Sequence, residues 1–185
     1  MLALRRLLTP PRKRLRREPI TDVIITERLL IRPTQPGDSE QVLASIGPDV
    51  EQINGWSSET KHHLAERIAS DDDPWHWAIR LRDTDAFVGV LGAQFVDPLM
   101  IDGCEIGFWV ADDYRRNGYM TEAFRAFVDR LAVNEITQVR ATTATSNIAV
   151  LRIMQTAGFD EIGRRPITLP NGTVMDGIDF ALPAR

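Results

Sequence analysis

Between Cys104 and Thr121 the chain passes from an apolar strand pattern, through the loop Asp112-Asp113-Tyr114-Arg115-Arg116-Asn117-Gly118, into the start of a helix. The helix carries Phe124, Phe127, Val128 and Leu131 on one stripe. A strand that feeds an amphipathic helix through a charged, glycine-bearing loop calls for a sheet covered by helices. The loop also prepares an anion site. A helix start leaves about four backbone N–H groups unpaired and gathers partial positive charge. Gly118 lets backbone come close, Arg115 and Arg116 add charge, and Thr121 offers a hydroxyl in the first turn. The pattern is neither a P-loop, which needs Gly-Lys-Ser/Thr, nor the Gly-x-Gly-x-x-Gly dinucleotide fingerprint. Nucleotide hydrolysis and hydride transfer are therefore poorly supported. Taken alone, an Arg-Arg-Asn-Gly loop is more often a solvated turn.

The flanking sequence supplies the frame. Ile24-Ile25 and Leu29 to Arg32 read as a first strand, stopped by Pro33 and Pro36. Asp38, with Gln41 as capping-box partner, starts a helix to about Ser45, and a second helix covers Lys61 to Ser70. Trp77 to Leu81 and Phe87 to Phe95 form a hairpin about Asp83-Thr84-Asp85. After the helix from Thr121 to Asn134 come a strand from Val139 to Thr143, a helix from Asn147 to Ala157 ended by Gly158, and two closing strands joined at Pro170-Asn171-Gly172. This order reads as an α+β, or mixed α/β, sheet with helices covering it.

A chain of 185 residues that is 43% hydrophobic can bury one substantial core. Residues 20–185 show no repeat or low-complexity linker and read as a single domain. Residues 1–19 read differently, as a basic disordered arm. Arg5, Arg6, Arg12, Lys13, Arg14, Arg16 and Arg17 stand there without an acid; the remaining 15 basic residues face 26 acidic ones, a net −11 for residues 18–185. Such an arm could make weak contact with polyanions through residues 5–17, although blocks of like charge are commonly just solvated. Cys104 is the only cysteine, which excludes an internal disulfide, disfavours a metal site and suits a reducing, cytoplasmic setting. No apolar run approaches the roughly 20 residues of a transmembrane helix.

Four segments resemble, in order, the GNAT acyltransferase superfamily, and within it the branch of ribosomal-protein N-terminal acetyltransferases. Thr26-Glu27-Arg28-Leu29-Leu30-Ile31-Arg32-Pro33 looks like that branch's Thr-Glu-Arg-Leu-x-Leu-Arg-Pro signature. Glu105 to Val110 looks like its central strand, and Arg115 to Met120 like its acyl-CoA loop. Asn147 to Ala149 with Arg152 to Phe159 looks like its Asn-x-Ala-Ser-x-Arg helix. The resemblance spans roughly residues 22–180. It implies a twisted, mostly antiparallel sheet with a splayed parallel strand pair that admits acetyl-CoA or another acyl-CoA. Pantetheine would pair with main chain at Phe108, Trp109 and Val110. The pyrophosphate would rest on the N–H groups of Arg116, Asn117, Gly118, Tyr119, Met120 and Thr121, with Arg115 and Asn147 nearby. Met120 stands where the family has a small residue.

Acyl transfer to an amine needs a neutral amine, a held oxyanion and a proton for the leaving thiolate. Glu105, a carboxylate in an apolar strand, is the candidate base and substrate contact; a purely structural ion pair is the competing reading. Asn147 is a candidate for assistance, and Trp56 for substrate contact. Family members often place a Ser three residues, or a Tyr seven residues, after the helix asparagine; Val150 and Met154 stand there instead. Strand alternation points Cys104 away from Glu105, so a buried structural thiol is expected. The acceptor is read as a primary amine, of a protein N-terminus or a small molecule, and the assembly as a monomer or homodimer. A domain that binds CoA without turnover, or a ribosome- or RNA-docking module using the basic arm, are the alternatives.

Overall fold

The computed structural model describes residues 19–95, 103–136 and 138–182. The basic arm lies outside the described residues. The first segment is two strands, not one: β1 (Ile24–Ile25) and β2 (Leu29–Pro33) pair antiparallel, with Ile24 opposite Ile31. Thr26 makes the reversal. Its N–H donates to the Leu29 carbonyl at 2.9 Å, and its hydroxyl accepts the Leu29 N–H at 3.0 Å, a side-chain turn that competes with strand continuation.

The helices that follow depart from the expected capping. A 3-10 turn at Pro36–Asp38 leads into α1 (Ser39–Ala44). Asp38 faces backwards, accepting the Gln35 N–H at 2.8 Å and Arg32 Nη1 at 2.7 Å, while Gln41 accepts from Arg80 at 2.6 Å. Charge-assisted partners, Arg32 on β2 and Arg80 further along the chain, outcompete the capping box. Helix α2 (Pro48–Asn54) has no counterpart in the sequence reading, although Pro48 at its first turn and Gly55 in a left-handed conformation (φ 64°) are recognisable punctuation. Helix α3 (Ser58–Ile68) begins three residues before the expected start, because Ser57 caps it by accepting the Thr60 N–H.

The hairpin appears as β3 (His76–Leu81) and β4 (Phe87–Gln94). Then come β5 (Gly103–Val110), α4 (Tyr119–Val133), β6 (Gln138–Ala144), α5 (Ile148–Thr156), β7 (Asp160–Thr168) and β8 (Val174–Ala181). The eight strands form one sheet in the order β1-β2-β3-β4-β5-β6-β8-β7. Every pairing is antiparallel except β5 with β6. The expected mixed sheet with one parallel pair is therefore present.

The sheet is the middle layer. On one face Leu29, Ile31, Trp77 and Ile106 pack with Phe124, Phe127 and Leu131 of α4 and Met154 of α5. On the other, Val90 and Trp109 pack under α1 to α3 with Val42, Trp56, Leu64 and Ile68. Alternation along β5 sends Ile106, Phe108 and Val110 to the first core and Trp109 to the second. Cys104 is buried in the first core, as expected of a structural thiol. At Gly89 of β4 a Cβ would lie 2.3 Å from the Trp109 carbonyl oxygen, so only glycine permits this approach of β4 to β5.

Candidate active site

Strands β5 and β6 are paired only from Gly103 opposite Gln138 to Glu105 opposite Arg140. Beyond that point both continue, to Val110 and Ala144, without pairing to each other. Each is held by its outer neighbour: β4 pairs with β5 as far as Val110, and β8 with β6 as far as Ala144. The two strands thus part like a V whose inner edges carry peptide groups with no strand partner among the described residues. Unpaired backbone at a sheet edge is ready to bond an extended, amide-bearing ligand.

A cleft of about 680 Å³ fills the V. Its walls are residues 106–110 and 141–144, and Asn147, Val150 and Ile153 of α5 close one side. Arg115, Arg116 and Gly118 to Thr121 form one end, while Val50, Ile53 and Asn54 of α2 border another part. Phe108, Trp109, Val110, Arg115, Arg116, Gly118, Tyr119, Met120, Thr121 and Asn147 are thus brought to one cavity. Asn117 stands apart from it. Its side chain turns back to donate to the carbonyls of Tyr114 (3.2 Å) and Arg115 (3.0 Å), bracing the loop from inside.

Arg116 (φ 63°) and Gly118 (φ 77°) are both left-handed, which turns the chain sharply ahead of α4. The first helical bond runs from the Glu122 N–H to the Gly118 carbonyl. Among the described residues, the N–H groups of Arg116 to Thr121 have no backbone acceptor. Helix α4 starts two residues before the expected Thr121, because Gly118 takes the cap position. Met120 buries its side chain in the core, leaving its N–H at the cleft end.

The two arginines differ. Arg115 is spanned by carboxylates, Nη1 to Asp49 at 2.7 Å and Nη2 to Asp112 at 2.8 Å, so it ties the loop to α2. Arg116 is exposed and makes no ion pair among the described residues. Arg152, also on the cleft, adds a third cation that the sequence reading used only as part of a motif.

Glu105 and Trp56 do not line the cleft. Glu105 sits at the closed end of the V, where Thr142 Oγ1 lies 3.1 Å from its Oε1 and 2.7 Å from Asp179 Oδ1. Asp179 in turn accepts from Arg165 Nε at 2.6 Å. Burial works to raise the Asp179 carboxyl, but the hydrogen bonds from Arg165 and Thr142 outweigh it and hold it below the usual range. Thr142 does line the cleft, and so connects it to Glu105. Trp56 is buried behind Trp109, edge-on at 5.8 Å, and Trp109 Nε1 donates to Ser45 at 2.9 Å. Trp56 therefore supports a cleft wall. Asn147 caps α5 by accepting the Val150 N–H. Val150 borders the cleft and Met154 is fully buried; neither offers a proton.

The sequence reading missed Thr142 and Thr143, both on the β6 wall. Two hydroxyls between alanines in a strand were the available signal.

The comparisons with known proteins agree with this geometry. The family model described as an acetyltransferase (GNAT) domain matches residues 28–160. No protein of curated function matches the chain. Among solved structures, a GNAT-family acetyltransferase from Bacillus anthracis is 21% identical, with a TM-score of 0.72 over 87% of this chain and 98% of its own. A ribosomal-protein-alanine acetyltransferase from Vibrio fischeri is 12% identical, with a TM-score of 0.71 over 86% and 95%. A RimL ribosomal α-N-protein acetyltransferase in complex with coenzyme A is 17% identical, with a TM-score of 0.70 over 86% and 97%. At these identities the structures speak for the fold. The match over residues 28–160, more than half of the chain, makes this chain a member of the GNAT acetyltransferase family, an enzyme class that depends on acyl-CoA.

Proposed function

We propose that this protein transfers an acetyl group from acetyl-CoA to a primary amine within a ternary complex, and that the amine is the α-amine of a protein N-terminus. The observation that carries the reading is the splay of β5 from β6 after Glu105, with Arg116 and Gly118 to Thr121, whose N–H groups have no backbone acceptor among the described residues, at the end of the cleft. Strand-edge peptides at Phe108 to Val110 suit the amides of pantetheine, and the loop suits the pyrophosphate. The α-amine reading draws support from neighbours named as ribosomal-protein acetyltransferases; a small-molecule amine is the competing acceptor.

In this reading the amine nitrogen attacks the thioester carbonyl, the amine's proton passes to Glu105 by water or by way of Thr142, and the C–S bond breaks with the leaving thiolate taking its proton from solvent. The backbone N–H of Val110, on the β5 edge that faces away from β4, polarises the carbonyl. Positioning of the two reactants does much of the work, since the thioester is already activated. Incubation with acetyl-CoA and a panel of peptides and small amines, followed by thiol release, tests it. Release above background with peptides supports the α-amine; release with small amines alone favours the other acceptor.

A second reading is supported by Val150 and Met154, which leave without a hydroxyl the two α5 positions where family members often carry Ser or Tyr: a domain that holds CoA without turnover. Saturable CoA binding without thiol release from any amine would favour it. No helix among the described residues is long and apolar enough to cross a membrane.

A further inference from the structure

The turn between β1 and β2 reaches across the molecule to the phosphate loop. Arg28 Nη1 donates to the Asn117 carbonyl at 3.0 Å, and its Nη2 would lie 3.5 Å from a Cβ at Gly118. The guanidinium also stacks on the Tyr119 ring, 4.7 Å from its centroid. Its other edge is held by Glu122, in the first turn of α4, through Nε at 2.7 Å. Glu122 is itself fixed by the Thr26 hydroxyl at 2.5 Å and the Arg28 N–H at 3.0 Å. Burial acts to raise the Glu122 carboxyl, but these hydrogen bonds outweigh it and keep it ionised.

The orientation of one peptide follows. The described residues contain no cis peptide bond, and in a trans peptide the C=O and the next N–H point in opposite directions. A guanidinium that pins the Asn117 carbonyl on one side therefore aims the Gly118 N–H to the other, where Gly118 borders the cleft. A left-handed glycine has little intrinsic preference to hold that plane. The Arg28 side chain is 44% exposed, so its ion pair with Glu122 contributes little to stability.

We infer that Arg28, locked by Glu122 and Thr26, is a positioning residue that presents the Gly118 N–H to the pyrophosphate of acyl-CoA. The inference rests on the acyl-CoA reading of the cleft. The planar fork matters: it grips the loop and Glu122 at once, which an ammonium cannot do.

Calorimetric titration of the full chain with CoA tests this before any acceptor is known. Arg28→Ala and Arg28→Lys should each weaken CoA roughly tenfold, the size of one oriented charge-assisted hydrogen bond. Thermal midpoints should stay close to that of the unaltered protein. With a working acceptor, KM for acetyl-CoA should rise while kcat and the acceptor's KM hold. If Arg28→Ala does not fold, Glu122→Gln carries the test, with a several-fold weaker CoA. CoA binding unchanged in the folded variant, or fully restored by Arg28→Lys, would overturn the inference. An unaltered protein that does not bind CoA at all would instead overturn the acyl-CoA reading beneath it.

Discussion

Thr142 Oγ1 lies 2.7 Å from Asp179 Oδ1, at the point where β5 and β6 part. A hydroxyl carries one hydrogen, so it serves Asp179 or Glu105, not both together. This places Glu105 at the end of a polar chain that opens on the cleft. Glu105→Gln should lower kcat by about a hundredfold with CoA affinity unchanged, the range of a lost general base. Thr142→Val should act in the same sense, by roughly tenfold. Steady-state kinetics beside CoA titration separate the two quantities; full activity in Glu105→Gln would remove the carboxylate from the chemistry.

The two loop arginines should differ in the origin of their effects. Arg116 has no ion pair among the described residues, whereas Arg115 bridges Asp49 and Asp112. Arg116→Ala should weaken CoA about tenfold and flatten the salt dependence of binding, without loss of thermal stability. Equal affinity at low and high salt in the unaltered protein would contradict it.

Gly89 is a packing requirement. Any side chain there would meet the Trp109 carbonyl at 2.3 Å, so the β4–β5 ladder must shift. Gly89→Ala should destabilise the protein by about 2 kcal/mol or more, read from the urea midpoint. An unchanged midpoint would mean that the sheet yields easily beside the cleft.

Acid should weaken the fold through Asp38. It is buried and bonded to Arg32 Nη1 and Nη2 at 2.7 and 2.8 Å, with Arg80 at 3.6 Å. Burial pushes its carboxyl up, but Arg32, the Gln35 N–H and Arg80 together hold it below the usual range. A carboxyl lower in the folded than in the unfolded chain contributes stability above its unfolded pKa, near 4. That contribution is lost as pH falls through the folded value. Asp179 and Glu122 shift in the same direction. Denaturant curves should therefore show stability flat down to about pH 5 and falling below it. Asp38→Asn should cost about 3 kcal/mol at neutral pH and flatten the acid limb. An acid limb of unchanged slope would speak against Asp38 as its source.

The local chemistry of the chain was enough to read the strand, glycine-bearing loop and helix start around Gly118, since the requirements are short-range: a left-handed Gly118, an open helix start and a strand before it. The β3–β4 hairpin, the closing strands and the start of α5 near Asn147 were legible for the same reason. Helix α2 escaped because its seven residues show no apolar period long enough to read, and only Pro48 and Gly55 mark it. What the sequence could not determine is which residues share a surface. Only the tertiary structure turned Trp56 into a support for Trp109, set Glu105 at the closed end of the V, and brought Thr142 between two carboxylates. It also carried Arg28 to a loop 89 positions away. Contacts of that kind depend on sheet order and on where one strand pair stops bonding, and neither quantity is encoded in any single stretch of residues.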